Sequence, residues 1–150
     1  MARHKYAKES TIHQMVVDYL KIQYPGVIFR TDFSAGVKMT MGQAIKHKAL
    51  QEGRGYPDLF IAEPAQLAGE WYHGLYLELK REGVRLMKKD GSWANEHFAE
   101  QHAYMKRLSD RGYRCTFAVG FDDAKDQIDK YMAMTDYKER RKQTPNDQIF

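Results

Sequence analysis

Two acidic residues and one lysine form the pattern in the sequence that is best suited to chemistry. Asp58 follows Pro57, and Glu78 comes after 19 intervening residues, two positions before Lys80. Residues two apart on a strand project from the same face, so an extended segment over 75–80 places Glu78 beside Lys80. If the segment that begins at Asp58 pairs with this strand, two carboxylates and an ammonium group converge.

Two neighbouring carboxylates repel each other unless a proton or a cation lies between them. A hard divalent cation with oxygen ligands resolves this repulsion, and Mg²⁺ typically binds through one or two carboxylates while water and substrate phosphate complete its shell. Lys80 could then orient or deprotonate the attacking water, or hold the phosphate. The pattern therefore favours metal-assisted hydrolysis of a phosphate ester.

Hydrophobic patterning predicts the elements that position these residues. We expect one strand over 58–62 and another over 75–80, with leucines on one face of the latter and Tyr76, Glu78 and Lys80 on the other. The first helix is expected to bury Ile12, Met15, Val16, Tyr19 and Leu20. The remaining predicted elements are a strand over 27–33, helices over 43–51, 94–111 and 122–134, a strand over 113–119, and a loop over 63–73. This order predicts an α/β fold with a mixed sheet of about four strands flanked by helices.

Composition indicates a single globular domain. The chain has 150 residues, of which 43% are hydrophobic and 29% charged, and its mean hydropathy is −0.71. We expect a domain over 1–133 and a charged C-terminal tail over 134–150, whose last 15 residues fray or dock on a partner subunit. No apolar stretch is long enough to cross a membrane, and Cys115 is the single cysteine. We therefore expect a reducing, cytoplasmic compartment.

The charge pattern is compatible with a polyanionic partner. The net charge is +4, and basic residues cluster at 80–89, 38–54 and 138–142. No glycine-rich phosphate loop occurs, so no nucleotide cofactor is expected. The six histidines do not show the spacing of a zinc site, and we expect structural or surface roles for them.

The surroundings of Asp58, Glu78 and Lys80 resemble the VRR-NUC family of the PD-(D/E)XK nuclease superfamily. The similar segments are residues 30–36, 48–61 and 73–81, followed by Glu100-Gln101-His102, residues 108–113 and a closing helix over 124–131. The resemblance covers roughly residues 9–132. It implies a restriction-endonuclease-like fold and a Mg²⁺- or Mn²⁺-dependent endonuclease that acts on DNA.

The resemblance also implies roles for individual residues. Asp58 and Glu78 would be metal ligands, the backbone carbonyl of Leu79 would complete the site, and Lys80 would be the catalytic lysine. Glu9 falls where the family has a further acidic residue, and Gln101 where it has a glutamine near the lysine. His13 and Gln14 stand where the family usually has another glutamine. We expect the phosphates of DNA to be bound by Arg54, Arg81, Arg85 and Lys88.

No separate recognition helix is evident, so we expect selection of DNA by shape, at a junction or a flap, rather than by base sequence. Branched DNA suits a homodimer or higher oligomer, because two sites can address two strands. The length resembles a standalone phage or bacterial member of the family, acting in the bacterial cytoplasm or in a phage-infected host cell. Two alternatives stay open at this point: a non-catalytic, dimeric DNA-binding or assembly module, and hydrolysis of RNA or of both nucleic acids.

Overall fold

The computed structural model describes residues 6–32 and 38–143, so part of the predicted motif at 30–36 lies outside the described residues. Five helices are present in the described ranges: α1 (Glu9–Gln23), α2 (Met41–Ala49), α3 (Glu96–Ser109), α4 (Phe121–Met132) and α5 (Tyr137–Gln143). The strands there are β1 (Phe29–Thr31), β2 (Leu59–Ile61), β3 (Ala65–Leu67), β4 (Glu70–Tyr72), β5 (Leu75–Lys80) and β6 (Arg114–Val119).

Four of these strands form one mixed sheet in the order β1-β2-β5-β6. The pairs β1–β2 and β2–β5 are antiparallel, whereas β5 and β6 are parallel and joined through α3. Leu59 lies opposite Leu77, so the register places Asp58, one residue before β2, opposite Glu78. The predicted fold class is confirmed, and so is the pairing on which the convergence of the acidic residues depends.

Helices cover both faces of the sheet. The leucines of β5 pack with Leu59 and Ile61 against α1 and α4, which contribute Val16 and Ile128 to the same core. The alternate residues of β5 and β6 face α3, where Phe98 contacts Phe117. All six residues of β5 are buried, because neither face of this strand meets solvent.

Several predicted elements differ in extent from those observed. Strand β1 is shorter than 27–33, and α2 begins at Met41 because Thr40 and Gln43 form a reciprocal capping box. Residues 63–73 are not a plain loop, since β3 and β4 form a two-stranded hairpin within them. Met15, predicted to lie on the buried face of α1, is 39% exposed.

The predicted C-terminal tail is structured as far as residue 143. Tyr137 is buried and its hydroxyl donates to the carbonyl of Pro25, while Arg140 Nε donates to Glu63 Oε2 across 2.8 Å. Helix α5 therefore packs on its own chain, contrary to the expectation that this segment frays or docks elsewhere; residues 144–150 lie outside the described residues. Within the described ranges, no helix combines the length and apolar character needed to span a bilayer.

Candidate active site

Asp58 lies at the point where β2 begins, next to the last residues of β5. Its carboxylate oxygen Oδ2 accepts a hydrogen bond of 2.9 Å from the backbone amide of Leu79. Pro57 precedes it and has no amide hydrogen, so the ladder between the two strands cannot continue in the usual way. The Asp58 carboxylate accepts the Leu79 amide hydrogen in place of a backbone carbonyl, which fixes the side chain beside β5.

Glu78 and Lys80 project from the face of β5 that α3 covers. Lys80 Nζ donates to Glu78 Oε1 across 3.1 Å, and Gln101 Nε2 of α3 donates to the same oxygen across 2.5 Å. All three side chains are at most 5% exposed. The Lys80 ammonium also lies 5.0 Å from the centre of the Phe98 ring, a cation–π contact that further defines its position.

The other oxygen of Glu78 has no hydrogen-bond donor among the described residues. Glu78 Oε2 and Gln101 Oε1 are buried polar atoms that lack a partner. Leaving such an atom unsatisfied costs about 1–3 kcal/mol, so native structures usually supply water, a proton or an ion. The orphan oxygen of Glu78 therefore indicates a place for a ligand.

The electrostatics of the two carboxyl groups lead to the same inference. Burial, followed by the negative charge of Asp58, raises the pKa of Glu78 to about 9, although Lys80 opposes this shift. Burial also raises the pKa of Asp58, while the charge of His13 acts in the opposite direction. Two buried carboxyl groups in contact cannot both ionise easily without a cation, which would relieve their repulsion.

Helix α1 contributes two further side chains from the opposite layer. Glu9 and His13 are one helical turn apart and so lie on the same face of α1. Their ligand atoms and one of Asp58 all lie within 4.8 Å of one another. His13 Nε2 lies 3.8 Å from Asp58 Oδ2. The structure thus places Glu9 and His13 beside Asp58.

Sequence reasoning missed His13. It is 3% exposed, and although it was expected to have a structural or surface role, it lies beside the acidic cluster. The signal that would have found it is the four-residue spacing from Glu9, which places both side chains on one helix face. Glu78 is not part of the group of mutually close ligand atoms, but its carboxyl contacts that of Asp58.

The donor set fits a divalent cation. Carboxylates from Glu9, Asp58 and Glu78 offer the oxygen ligands that Mg²⁺ and Mn²⁺ accept. The backbone amide and carbonyl of a strand residue point towards the same neighbouring strand. Because the Leu79 amide donates to Asp58, the Leu79 carbonyl also points towards Asp58. Pro57 has no amide hydrogen to donate to that carbonyl. The residues present therefore match a metal site with an orphaned buried oxygen at its border.

A close backbone approach positions Gln101. Gly55 has a φ of +91°, and a Cβ atom there would lie 3.2 Å from the carbonyl oxygen of Glu100 and 3.3 Å from the Cα of Gln101. The loop before Asp58 thus packs directly on the backbone of α3. The absence of a side chain at Gly55 allows this close packing against α3.

The four residues predicted to bind phosphates are exposed, and none of them lines the cleft beside Asp58. Arg54, Arg81, Arg85 and Lys88 are all exposed, and Arg81 directly follows Lys80. A cleft of about 420 Å³ opens beside Asp58. Its lining includes Arg30, Asp32, Tyr56, Phe60 and Tyr104. Basic and aromatic side chains thus border the carboxylate cluster.

The overall fold resembles that of a solved structure. A solved structure described as a VRR_NUC domain protein matches the chain with a TM-score of 0.59 and 25% sequence identity, over 88% of this chain and 93% of that chain. No protein-family profile matches the sequence, and no curated protein matches it. The resemblance that the motifs predicted is confirmed by this structural likeness.

Proposed function

We propose that this chain, which has the fold of the VRR-NUC nuclease family, is a Mg²⁺- or Mn²⁺-dependent endonuclease that hydrolyses phosphodiester bonds in DNA. The nuclease-like domain is supported by the structural match. The substrate, the metal and the residue roles are our proposal.

One observation carries it: the orphan oxygen of Glu78 beside Asp58. A buried carboxyl with an unsatisfied oxygen, in contact with a second buried carboxyl, can ionise readily only if a cation binds there, and otherwise it keeps a proton. The adjacent lysine is held by Glu78 and by the Phe98 ring. A structural role alone does not account for three buried ionisable groups at the end of a central sheet.

The chain supplies the following chemistry. When bound, the ion would polarise a phosphate oxygen and lower the pKa of a water ligand. Asp58, Glu78, Glu9 and the Leu79 carbonyl would hold it. The ammonium of Lys80 would donate to the phosphate oxygens as negative charge develops, while Gln101 keeps the Glu78 side chain in place. Water adds to phosphorus, one P–O ester bond breaks, and the products are a phosphate monoester and a free hydroxyl.

DNA would be bound by its backbone and selected by its shape. Arg54, Arg81, Arg85 and Lys88 are exposed cations that can contact phosphates. The described residues include no helix–turn–helix or similar groove-reading motif, so a branch or a flap is the proposed substrate.

We also propose a homodimer. Helix α2 has no buried residue, and it and the residue after it expose Met41, Ile45 and Leu50 by 82%, 62% and 87%. Apolar side chains exposed together are typical of an interaction surface. Light scattering at micromolar concentration should give twice the chain mass, and a monomer would refute the dimer without affecting the catalytic proposal.

Cleavage assays test the function. Labelled junctions, flaps, duplexes and single strands, with RNA versions of each, are incubated with Mg²⁺ or Mn²⁺. We expect cleavage of branched DNA that chelator abolishes. Lys80→Met should remove it, whereas Lys130→Met, at an exposed lysine on α4, should not. Tight DNA binding with no cleavage at any metal concentration would instead favour the non-catalytic module.

A further inference from the structure

His13 is the side chain at this site that the proposed chemistry does not use. It is 3% exposed on α1, one turn after Glu9. Its Nε2 lies 3.8 Å from Asp58 Oδ2, and the ligand atoms of Glu9, His13 and Asp58 lie within 4.8 Å of one another. Two atoms on opposite sides of an ion with bonds of about 2.1 Å are about 4.2 Å apart, so these separations suit common ligation after small side-chain rotations.

We infer that His13 supplies a nitrogen ligand to the metal and that this makes the site prefer a first-row transition-metal ion, such as Mn²⁺, to Mg²⁺. The inference rests on the proposed function, which leaves the choice between the two ions open.

The chemical reason is the type of ligand. Mg²⁺ prefers oxygen, keeps several water molecules and accepts nitrogen reluctantly, whereas imidazole binds transition-metal ions well. A site of carboxylates and one carbonyl accepts both kinds of ion. A buried imidazole among those oxygens adds a nitrogen ligand, which increases the affinity for a transition-metal ion but not for Mg²⁺.

Because His13 is buried, it should bind an ion more tightly than a surface histidine would. The imidazole is already desolvated and held beside Asp58 on a helix that packs into the main core. Little ordering cost then opposes its bond to an ion, because the side chain is fixed before the ion arrives. The competing role is a simple ion pair that orients Asp58, and the two roles predict different spectra.

The test uses the intact, metal-free protein and the metal alone. Mn²⁺ and Mg²⁺ affinities are measured by calorimetry for wild type and His13→Gln, which offers an amide oxygen or nitrogen near the place of Nε2. Pulsed electron paramagnetic resonance of stoichiometric Mn²⁺ then reports directly on bound nitrogen. His73→Gln is the matched control, since this exposed histidine precedes β5 and lies about 16 Å along the strand from Glu78.

We expect wild type and His73→Gln to prefer Mn²⁺ and to show ¹⁴N coupling. His13→Gln should lose the coupling and about tenfold or more in Mn²⁺ affinity, with Mg²⁺ affinity little changed. If His13→Gln does not fold, His13→Asn replaces it. Absence of Mn²⁺ binding or of nitrogen coupling in wild type overturns the inference, as does coupling that survives in the folded variant. If wild type cleaves DNA but His13→Gln has the same preference between Mn²⁺ and Mg²⁺ as wild type, this inference alone is refuted. If wild type shows nitrogen coupling but cleaves no substrate, the proposed function alone is refuted.

Discussion

The backbone amide of Leu79 donates to Asp58 Oδ2 across 2.9 Å, so the first acidic residue of the motif is bound to the strand that carries the second. Here a side-chain oxygen of Asp58 accepts the hydrogen bond that a backbone carbonyl accepts in a regular ladder. Pro57 has no amide hydrogen to donate to the Leu79 carbonyl, so the proline before the aspartate leaves that carbonyl without a ladder donor on this side. The geometry of the site therefore begins with the order of two residues in the sequence.

The substitution Asp58→Asn separates the charge of this side chain from its hydrogen bond to the Leu79 amide. Asp58→Asn keeps an oxygen that can accept from Leu79, so the fold should be retained, but the ionised ligand is lost. We expect cleavage to fall by about 100-fold or more and the metal affinity to fall with it. Cleavage rates and calorimetric metal titrations measure both, and circular dichroism checks the fold. Full activity in a folded Asp58→Asn protein would remove this residue from the site.

Glu78 should make the stability of the metal-free protein depend on pH. Its pKa is about 9 in the folded chain and near 4.5 when unfolded, so the folded state binds the extra proton between these values. The free energy of unfolding should therefore decrease as the pH rises from about 5 to about 9. Chemical denaturation at several pH values measures this slope, which Glu78→Gln should make shallower. A slope of the opposite sign, or one unaffected by Glu78→Gln, would contradict the assignment.

The same protonation predicts proton release when metal binds. At pH 7 the uncharged Glu78 must ionise to ligate a cation, so binding should release up to one proton. Titrations in buffers of different ionisation enthalpy count these protons. Glu78→Gln should release fewer, and a proton count equal to that of wild type would argue against Glu78 as a ligand.

Gly55 should be intolerant of a side chain. Its φ of +91° and the 3.2 Å approach to the Glu100 carbonyl predict that Gly55→Ala destabilises the protein by about 1–3 kcal/mol and displaces Gln101. Gly42, within α2, has open space around it and no positive φ, so Gly42→Ala should instead stabilise by about 0.5–1 kcal/mol. Denaturant unfolding of the pair gives the comparison. Equal effects of the two substitutions would exclude the packing argument.

Helix α5 should contribute to the stability of the domain. Tyr137 is buried and bonded to Pro25, so Tyr137→Ala should cost about 3 kcal/mol. Lys138→Ala, at the next and exposed position, should change the stability by less than about 0.5 kcal/mol. Thermal and denaturant unfolding measure both. Unchanged stability of Tyr137→Ala would contradict a stabilising role for the packing of α5.

The sequence predicted those parts of the structure that depend on local pattern. Alternation of leucine with polar residues identified β5, and the proline before Asp58 identified the start of β2. The hairpin of β3 and β4 was missed because its strands have three residues each. Its two-residue turn has Gly69 at the second position but Ala68 at the first, where a positive φ usually calls for Gly, Asn or Asp.

Tertiary contacts account for the other differences. Helix α5 looked like a solvated tail because most of its residues are charged, and its position depends on Tyr137 and on the pairing of Arg140 with Glu63. His13 looked like an isolated histidine because its partner Asp58 is distant in the chain. Side chains that meet across layers are not visible in periodicity, whereas residues within one strand are.

Crystals soaked in Mn²⁺ and measured for anomalous scattering give the most direct test of the metal site. We predict one strong peak between Asp58 and Glu78, within bonding distance of carboxylate oxygens of both, that is lost in Asp58→Asn. A protein that cleaves DNA with Mn²⁺ but has no peak there, or has its peak away from both carboxylates, would contradict the account.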